Sequence, residues 1–591
     1  MKKNLFLFIL LSGILFFYNS CKKNSNDEQT VPPVVPDLST QVITTVSGFI
    51  TDENGAAVES ASIKAGTVIV LTDQYGYFRI SNAAFAKSAG YIKVNKAGYF
   101  DGYRTFIPVG GKESFVRLQL IPKVSNGIVD AATGGTVTTS NGASVNLPGN
   151  AVVVASSNTV YTGTISIAIH WLDPTDQAVT QQTMPGDLRG IDESGYLQSL
   201  VTYGMMAVEL TGSSGELLQI ANGKKASLDF PIPSSLQATA PFNIPLWYFD
   251  ESKGLWKEEG KAVKNGNKYT GEVSHFSYWN CDFPLPLVNF SAQLVDTGSK
   301  PISNIAVSIT ISGIPNSTHT SYTDANGFVI GMVPANSNLE VAIKTPCNTE
   351  ANTQTIHTSN QDVNLGSIKI DLSQYGASFK GTVNNCNGLP VTDGYVIITD
   401  QGINNMVELV NGVFNASGMI CAPGNQGKVI AVDRSTSMLS TVQQVILNSG
   451  INDFGTIAAC GAVTEVITYV LDGIPYVYTA PQHSFIGSHT APNTNTWVVI
   501  ESRNLLNGGA TDFKTYWYGN STGTFLIASD VIHLGTEAYY LMNLNSVSVN
   551  VTAFGSIGEP IAGNFSGCIL KHAFNNSMHT LSASFNVIRD Q

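Results

Sequence analysis

A strand–turn–strand cadence that appears three times is the feature that most restricts what this chain can fold into. Its first copy, Val46 to Ile63, reads VSGFITDENGAAVESASI. Small or apolar residues alternate through Val46, Gly48 and Ile50, the chain reverses at Asp52-Glu53-Asn54-Gly55, and the apolar pattern resumes at Val58, Ala61 and Ile63. A period of two is that of a half-buried strand. Asn-Gly supplies the reversal, because glycine and, less readily, asparagine accept the positive φ of a tight turn. About ten residues on, Thr72-Asp73-Gln74-Tyr75-Gly76-Tyr77-Phe78 gives a second turn that feeds an aromatic strand. Phe290 to Ile309 repeats the first half and Thr323-Asp324-Ala325-Asn326-Gly327-Phe328 the second. Phe379 to Ile398 is the third copy; it keeps Gly381, Asn387-Gly388, Pro390-Val391 and Gly394 but lacks the Thr-Asp-x-x-Gly-Phe turn. Val, Ile, Thr, Ser, Asn and Gly dominate between turns, which predicts an all-β chain of tandem β-sandwich domains.

The repeated pattern resembles the carboxypeptidase regulatory-like domain, a small transthyretin-like β-sandwich that serves as an accessory module in many surface and secreted proteins, especially of Bacteroidetes. The resemblance implies a non-catalytic spacer or binding module and no peptidase activity. It predicts units at 44–123, 288–376 and 377–461, the last divergent. Between them, 124–287 opens with Gly134-Gly135-Thr136-Val137 and Gly142-Ala143-Ser144-Val145-Asn146-Leu147-Pro148, which is similar to the start of the domain shared by ankyrins and netrin receptors. Its Trp-rich end, from Ile244 to Asn280, looks like the unit paired with a regulatory-like domain in Bacteroidetes lipoproteins and in ectodomains of some animal matrix and membrane proteins. Residues 462–591 form a C-terminal β-domain whose last hairpin runs from Ile561–Gly567 to Leu581–Val587. Its G-x-F-S-G and S-x-S-F-x-V segments are similar to the end of small β-domains in other Bacteroidetes lipoproteins.

At the start of the chain Lys2-Lys3 precede an apolar run from Leu5 to Tyr18, about fourteen residues where roughly 20 are needed to cross a bilayer as a helix. Residues 1–20 therefore read as a signal peptide. Ser20-Cys21 looks like the processing site of bacterial lipoproteins, which makes Cys21 the acylated N-terminus and the outer membrane the expected location, facing the periplasm or the outside. Residues 21–43, with Pro32-Pro33-Val34-Val35-Pro36, hold few core formers and predict a disordered tether. The length, 591 residues, suits about four domains. Net charge is −12, and the only basic pairs after the leader are Lys22-Lys23 and Lys224-Lys225, so a phosphate-neutralising surface for nucleic acid is missing.

The most tempting binding residues are aromatic: Trp247, Tyr248, Trp256, Tyr278 and Trp279 could stack on sugar rings. The competing reading is core, since Trp247 and Phe249 alternate with Leu246, Tyr248 and Asp250 as on opposite faces of one strand, and Trp256 follows a glycine turn as a returning strand would. Packing is the favoured reading. Asp173, Asp176, Asp187, Asp192 and Glu193 carry oxygens suited to calcium but lack a twelve-residue EF-hand frame, so a solvated loop is expected. Setting Cys21 aside, six cysteines remain, an even number that permits fifteen disulfide pairings; a bridge within the third repeat is expected. None forms Cys-x-x-Cys, and His483, His489, His533, His572 and His579 have no His-x-x-x-His spacing, so neither metal nor cofactor is expected.

Metallopeptidase and phosphate-loop signatures are absent from the sequence. There is no His-Glu-x-x-His or Gly-x-x-x-x-Gly-Lys, and no histidine is followed three residues later by glutamate, as a zinc carboxypeptidase needs. Paired glycosidase carboxylates leave no signature, so a hydrolase stays as a third reading. The expectation is a non-enzymatic, lipid-anchored structural or adhesion scaffold of stacked sandwiches that projects a distal domain from the membrane. A glycan-binding lipoprotein using 124–287 is the alternative. Its partners would be the membrane, through the lipid, and an envelope polysaccharide or protein.

Overall fold

The computed structural model describes residues 31–372, 374–436, 438–461, 465–479, 483–490, 497–505, 510–555 and 560–589. The leader and Cys21 lie outside the described residues. The protein is nearly all β, and its one α-helix among those residues is the short Gln177–Thr183.

The three repeats share a topology. In the first, strand Gln41–Thr51 lies between Tyr77–Ala86, antiparallel, and Glu113–Gln119, parallel. Tyr278–Asp296 lies in the same way between Phe328–Pro334 and Val363–Ile370, and Gly376–Asn385 between Val413–Met419 and Gly450–Ala459. Each three-stranded sheet has a second sheet of its own, beginning at Ser62–Ala65, Ala306–Ile311 and Gly394–Asp400. In the first and third repeats the space between the sheets is filled by a separate apolar core, including Val46, Ile50, Phe78 and Ile92 in one and Phe379, Val383, Ile398 and Phe414 in the other.

The recurring residues have recurring work. The first turn closes on an acid or amide: Asp52 Oδ1 accepts from the Asn54 and Ala56 amides at 2.9 and 2.8 Å, and Asn385 Oδ1 from Asn387 and Leu389 at 3.0 and 3.1 Å. In the second turn Asp73 Oδ1 accepts from Tyr75 and Tyr77, and Asp324 Oδ1 from Asn326 and Phe328, all at 2.8–2.9 Å. The threonine before each acid is buried and ties the two sheets: Thr72 donates to the Val58 carbonyl and Thr323 to that of Ile302, at 2.6 and 2.7 Å. Gly76 then presses on the opposite strand, where an added Cβ would lie 2.3 Å from the Ile50 carbonyl oxygen.

The third copy fills that place from a different sequence. Its Val383 amide donates to the Gly412 carbonyl at 2.7 Å, as Ile50 donates to Gly76 and Leu294 to Gly327. Gly412 has φ +76°, against +71° and +73° in the other copies. Asn411-Gly412-Val413-Phe414 is thus the counterpart of the Thr-Asp-x-x-Gly-Phe turn, shortened by the loss of its capping acid.

Residues 31–43 differ from the expected tether. The Val34 carbonyl accepts from the Leu197 amide at 2.8 Å, Val34 and Leu38 pack against a cluster that includes Leu197, Leu255 and Leu287, and the first strand already begins at Gln41. The prolines hold this stretch extended, and Val31, Val34 and Leu38 lay it on the body.

The central unit and the second repeat are joined by a strand rather than a linker. Tyr278–Asp296 pairs through its first half with Leu197–Thr211 and Asn243–Asp250, and through its second half with the strands of the repeat. Residue 288 falls inside it. One apolar core runs from Val137 and Phe230 through Trp279 to Val329 and Ile343. The C-terminal unit has its own core, from Ile467 to Val587, closed by the hairpin of Pro560–His572 and Met578–Ile588.

Candidate functional site: the junctions around the first repeat

Strand Asn243–Asp250 and its return Leu255–Asn265 form the Trp-rich hairpin, with Phe249 opposite Trp256. Successive side chains point to opposite faces, and both faces are covered. Leu246 and Trp279 belong to the core of the central sandwich. Trp247, Phe249, Trp256 and Tyr278 face the other way, where Phe100, Tyr103 and Ile121 of the first repeat close over them. The three tryptophans are 0% exposed and Tyr278 is buried. Of the five residues offered as a sugar platform only Tyr248 keeps a partly open ring, and it packs on His275 and Trp279 with centroids 4.6 and 5.6 Å away. What the sequence presents as a ligand surface is where the first repeat docks: Tyr103 lies 4.8 Å from Phe249, Thr105 donates to the Gly254 carbonyl at 2.5 Å, and Lys93 pairs with Glu251 at 2.9 Å.

The first repeat makes a second junction with the third. Phe49, Tyr77 and Phe115 pack against Tyr395, Ile397, Met406 and Val432. Around them, Arg79 pairs with Glu113 and Glu408 at 3.1 and 3.5 Å, Tyr77 donates to Glu408 at 3.0 Å, and Arg434 holds both Glu408 and Asp393. The Tyr395 hydroxyl donates to Asp73. Burial lifts the Asp73 carboxyl to about 6, although the hydrogen bonds from Tyr395, Tyr77 and Tyr75 pull the other way. The second repeat touches as well: Phe115 meets Tyr322 edge-on at 5.5 Å, and Lys112 lies 3.6 Å above the Phe328 ring.

Disulfides lock the later repeats. Cys386–Cys460 closes the third repeat, and Cys347–Cys421 joins the second to the third. Cys281 and Cys568 are buried thiols, and burial raises the pKa of both.

Where these units meet, a cleft of about 540 Å³ opens between the first repeat, the helix Gln177–Thr183 and the second and third repeats. Arg104 and Arg117 line it, from the two edge strands on one side of the first sandwich, and Lys344 lines it from the second repeat. The Arg104 guanidinium donates to the carbonyls of Gln182 and Gly186 at 2.8 and 3.3 Å, while its Nε has no partner. Arg117 donates through Nη2 to the Asn404 carbonyl and Asn405 Oδ1 at 2.6 and 3.3 Å, and its guanidinium lies 5.0 and 5.3 Å from the Phe49 and Phe115 rings. Burial depresses the pKa of both. No sequence pattern marks these arginines; they meet only because edge strands of one sandwich face loops of two others.

The acidic candidates are structural. Asp176 caps the helix by accepting from the Val179 amide at 3.2 Å, Asp173 and Asp192 hold turns, Asp187 pairs with Arg189, and the Glu193 amide donates to Glu258. His572 and His579 bind Glu537 and Asp472, and His483 lies 3.2 Å from Asp512. Among the described residues no group of three His, Cys, Asp or Glu side chains is placed to hold a metal ion, and no helix is long and apolar enough to cross a membrane.

No family model matches the chain. A segment of 109 residues, 18% of the chain, is 36% identical to cartilage intermediate layer protein 2 of Mus musculus, and one of 110 residues is 31% identical to the human protein of that name. These segments span 9% of the relatives' length. Among solved structures, the shaft pilin SpaA of Lactobacillus rhamnosus GG aligns with 30% of this chain and 98% of its own at 8% identity and a TM-score of 0.17. The major pilin subunit of Bacillus cereus aligns with 71% of this chain and 99% of its own at 9% identity and a TM-score of 0.12. Likenesses of that size do not establish a shared fold.

Proposed function

We propose that the protein is an exported, non-enzymatic scaffold of the cell envelope, in which β-sandwich modules are fused into one stiff body that offers its surface for structural or adhesive contact. The observation that supports this reading best is the buried position of the first repeat. Its two outer faces are spent on Trp247, Phe249 and Trp256 on one side and on Tyr395 and Ile397 on the other. Flexible strings of modules leave such faces to water, and interdomain motion is the default unless the interface is large and apolar. Two disulfides suit an oxidising compartment. The local similarity to a protein named for a cartilage layer is in keeping with an extracellular structural part.

Anchoring through a lipid on Cys21 belongs to the same proposal, with two or more acyl chains giving stable attachment. Fatty-acid labelling should mark the wild type and not Cys21→Ala. For the scaffold itself, protein beginning at residue 31 should sediment saturably with envelopes of its source organism and leave their composition unchanged. Release of soluble sugars or peptides would put a hydrolase in its place.

A further inference from the structure

We propose that the cleft lined by Arg104, Arg117 and Lys344 is a binding site for an acidic sugar, whose carboxylate the cations receive and whose hydroxyls the surrounding side chains recognise. The proposal is independent of the scaffold reading.

Charge is the first ground. On a chain of net charge −12, three cations line one cleft, and none of them is within ion-pair distance of a carboxylate among the described residues; Asp187 acts on Arg104 from farther off and is paired with Arg189. Elsewhere the buried arginine Arg189 and the half-buried Arg79 and Arg434 each have a carboxylate partner. Arg104 is 8% exposed. A buried guanidinium normally has a counter-ion, because carbonyl oxygens return only part of the solvation it has lost. Arg104 uses two of its five N–H donors, and Arg117 uses only Nη2. The one carboxylate on the lining, Glu53, is exposed and accepts from Tyr99. A planar guanidinium with free N–H groups matches a carboxylate in two-pronged geometry.

The rest of the wall selects among anions. Ser308 and Thr320 form a hydroxyl pair at 2.8 Å, and Asn304, Asn348 and Gln181 add amides. Hydroxyls and amides both donate and accept, as the hydroxyls of a sugar do. The volume lies within the roughly 300–1,000 Å³ typical of small-ligand clefts, more room than a bare inorganic anion needs. Aromatic side chains from Tyr75, Phe106 and Tyr322 supply apolar patches for a ring's C–H face.

Isothermal titration of protein beginning at residue 31 with galacturonate, galactose and inorganic phosphate tests this. Galacturonate should bind and galactose should bind at least tenfold more weakly. Arg117→Gln should weaken galacturonate at least tenfold. Because Arg117 also holds the third repeat, Lys344→Gln serves as the second variant; it should weaken binding several-fold with an unchanged melting temperature. Failure of galacturonate to bind, or binding untouched by both substitutions, overturns the proposal. Phosphate binding as tightly as galacturonate would reveal an anion site without sugar recognition and overturns it too. None of these outcomes bears on sedimentation with envelopes, so this site can fail while the scaffold reading stands.

Discussion

Trp247 lies at 0% exposure with its indole N–H donating to the Asp282 carbonyl at 3.1 Å, so truncation removes a ring, a hydrogen bond and part of the seam to the first repeat. Trp247→Ala should cost about 3–5 kcal/mol, a large share of a domain stability of about 5–15, and lower the urea midpoint of the whole protein accordingly. An unchanged midpoint would mean that the ring faces solvent after all. At the other junction, the Asp73 carboxyl holds its proton more tightly in the folded state, with its pKa at about 6 against an ordinary 3.8. The stability this group contributes is therefore complete below about pH 4 and is lost as the pH rises through 6. Arg434, Glu59, Tyr77 and Tyr395 face the same site and temper the effect. Asp73→Asn keeps an Oδ1 acceptor for the Tyr75 and Tyr77 amides, and it should flatten stability between pH 4 and 6 and raise it at pH 7.5. A wild-type slope retained by the variant would assign the pH dependence to another group.

At the scale of the element, the glycine that ends the second turn distinguishes conformational strain from collision. Gly55 and Gly76 both have positive φ, +77° and +71°, but only Gly76 has a neighbour where a Cβ would go. Gly55→Ala should cost about 1 kcal/mol, and Gly76→Ala clearly more, about 2–3 kcal/mol, in denaturant unfolding. Equal costs would show that the contact with the Ile50 carbonyl relaxes freely. Removing Cys386–Cys460, whose ends are 74 residues apart, should cost about 4 kcal/mol by loop entropy, read as the difference between Cys386→Ser and wild type under oxidising conditions.

These elements also mark how far the sequence could be read. Alternation and turn residues make the strands of the first repeat legible, because Asp52, Asn54 and Gly55 act within five residues of one another. The parallel pairing of Gln41–Thr51 with Glu113–Gln119 joins residues 68 apart, as Thr45 to Glu113, and leaves no local pattern. Gly412 carries no Thr-Asp-x-x-Gly-Phe signature, because the fold there keeps only the glycine at the crossing and an aromatic residue, Phe414, two places on. Of the candidate site, the sequence reveals the tryptophans, whose alternation already favoured packing, but not what covers them. Arg104 and Arg117 were invisible because a cleft between modules has no sequence period.

The first repeat covers the central unit on one side and the third repeat on the other, and this gives a contrast between two truncations. A chain beginning at residue 124 loses Phe100, Tyr103 and Ile121 from above Phe249, Trp256 and Tyr278, and loses Phe49 and Tyr77 from above Tyr395 and Ile397. Apolar surface exposed on that scale promotes association. That chain should bind the dye ANS strongly, shift its tryptophan emission to the red and sediment as oligomers. A chain ending at residue 461 loses only the C-terminal unit, whose core from Ile467 to Val587 draws on no residue outside it. It should stay monomeric, with the first repeat docked and the urea midpoint of the remaining body unchanged. The strand Tyr278–Asp296 adds a further constraint: no protease should cut near 288, because both halves of that strand are paired on two sides. If the chain from 124 is instead monomeric and silent to ANS, the first repeat is a pendant module, and the stiff body inferred from its buried faces does not exist in solution.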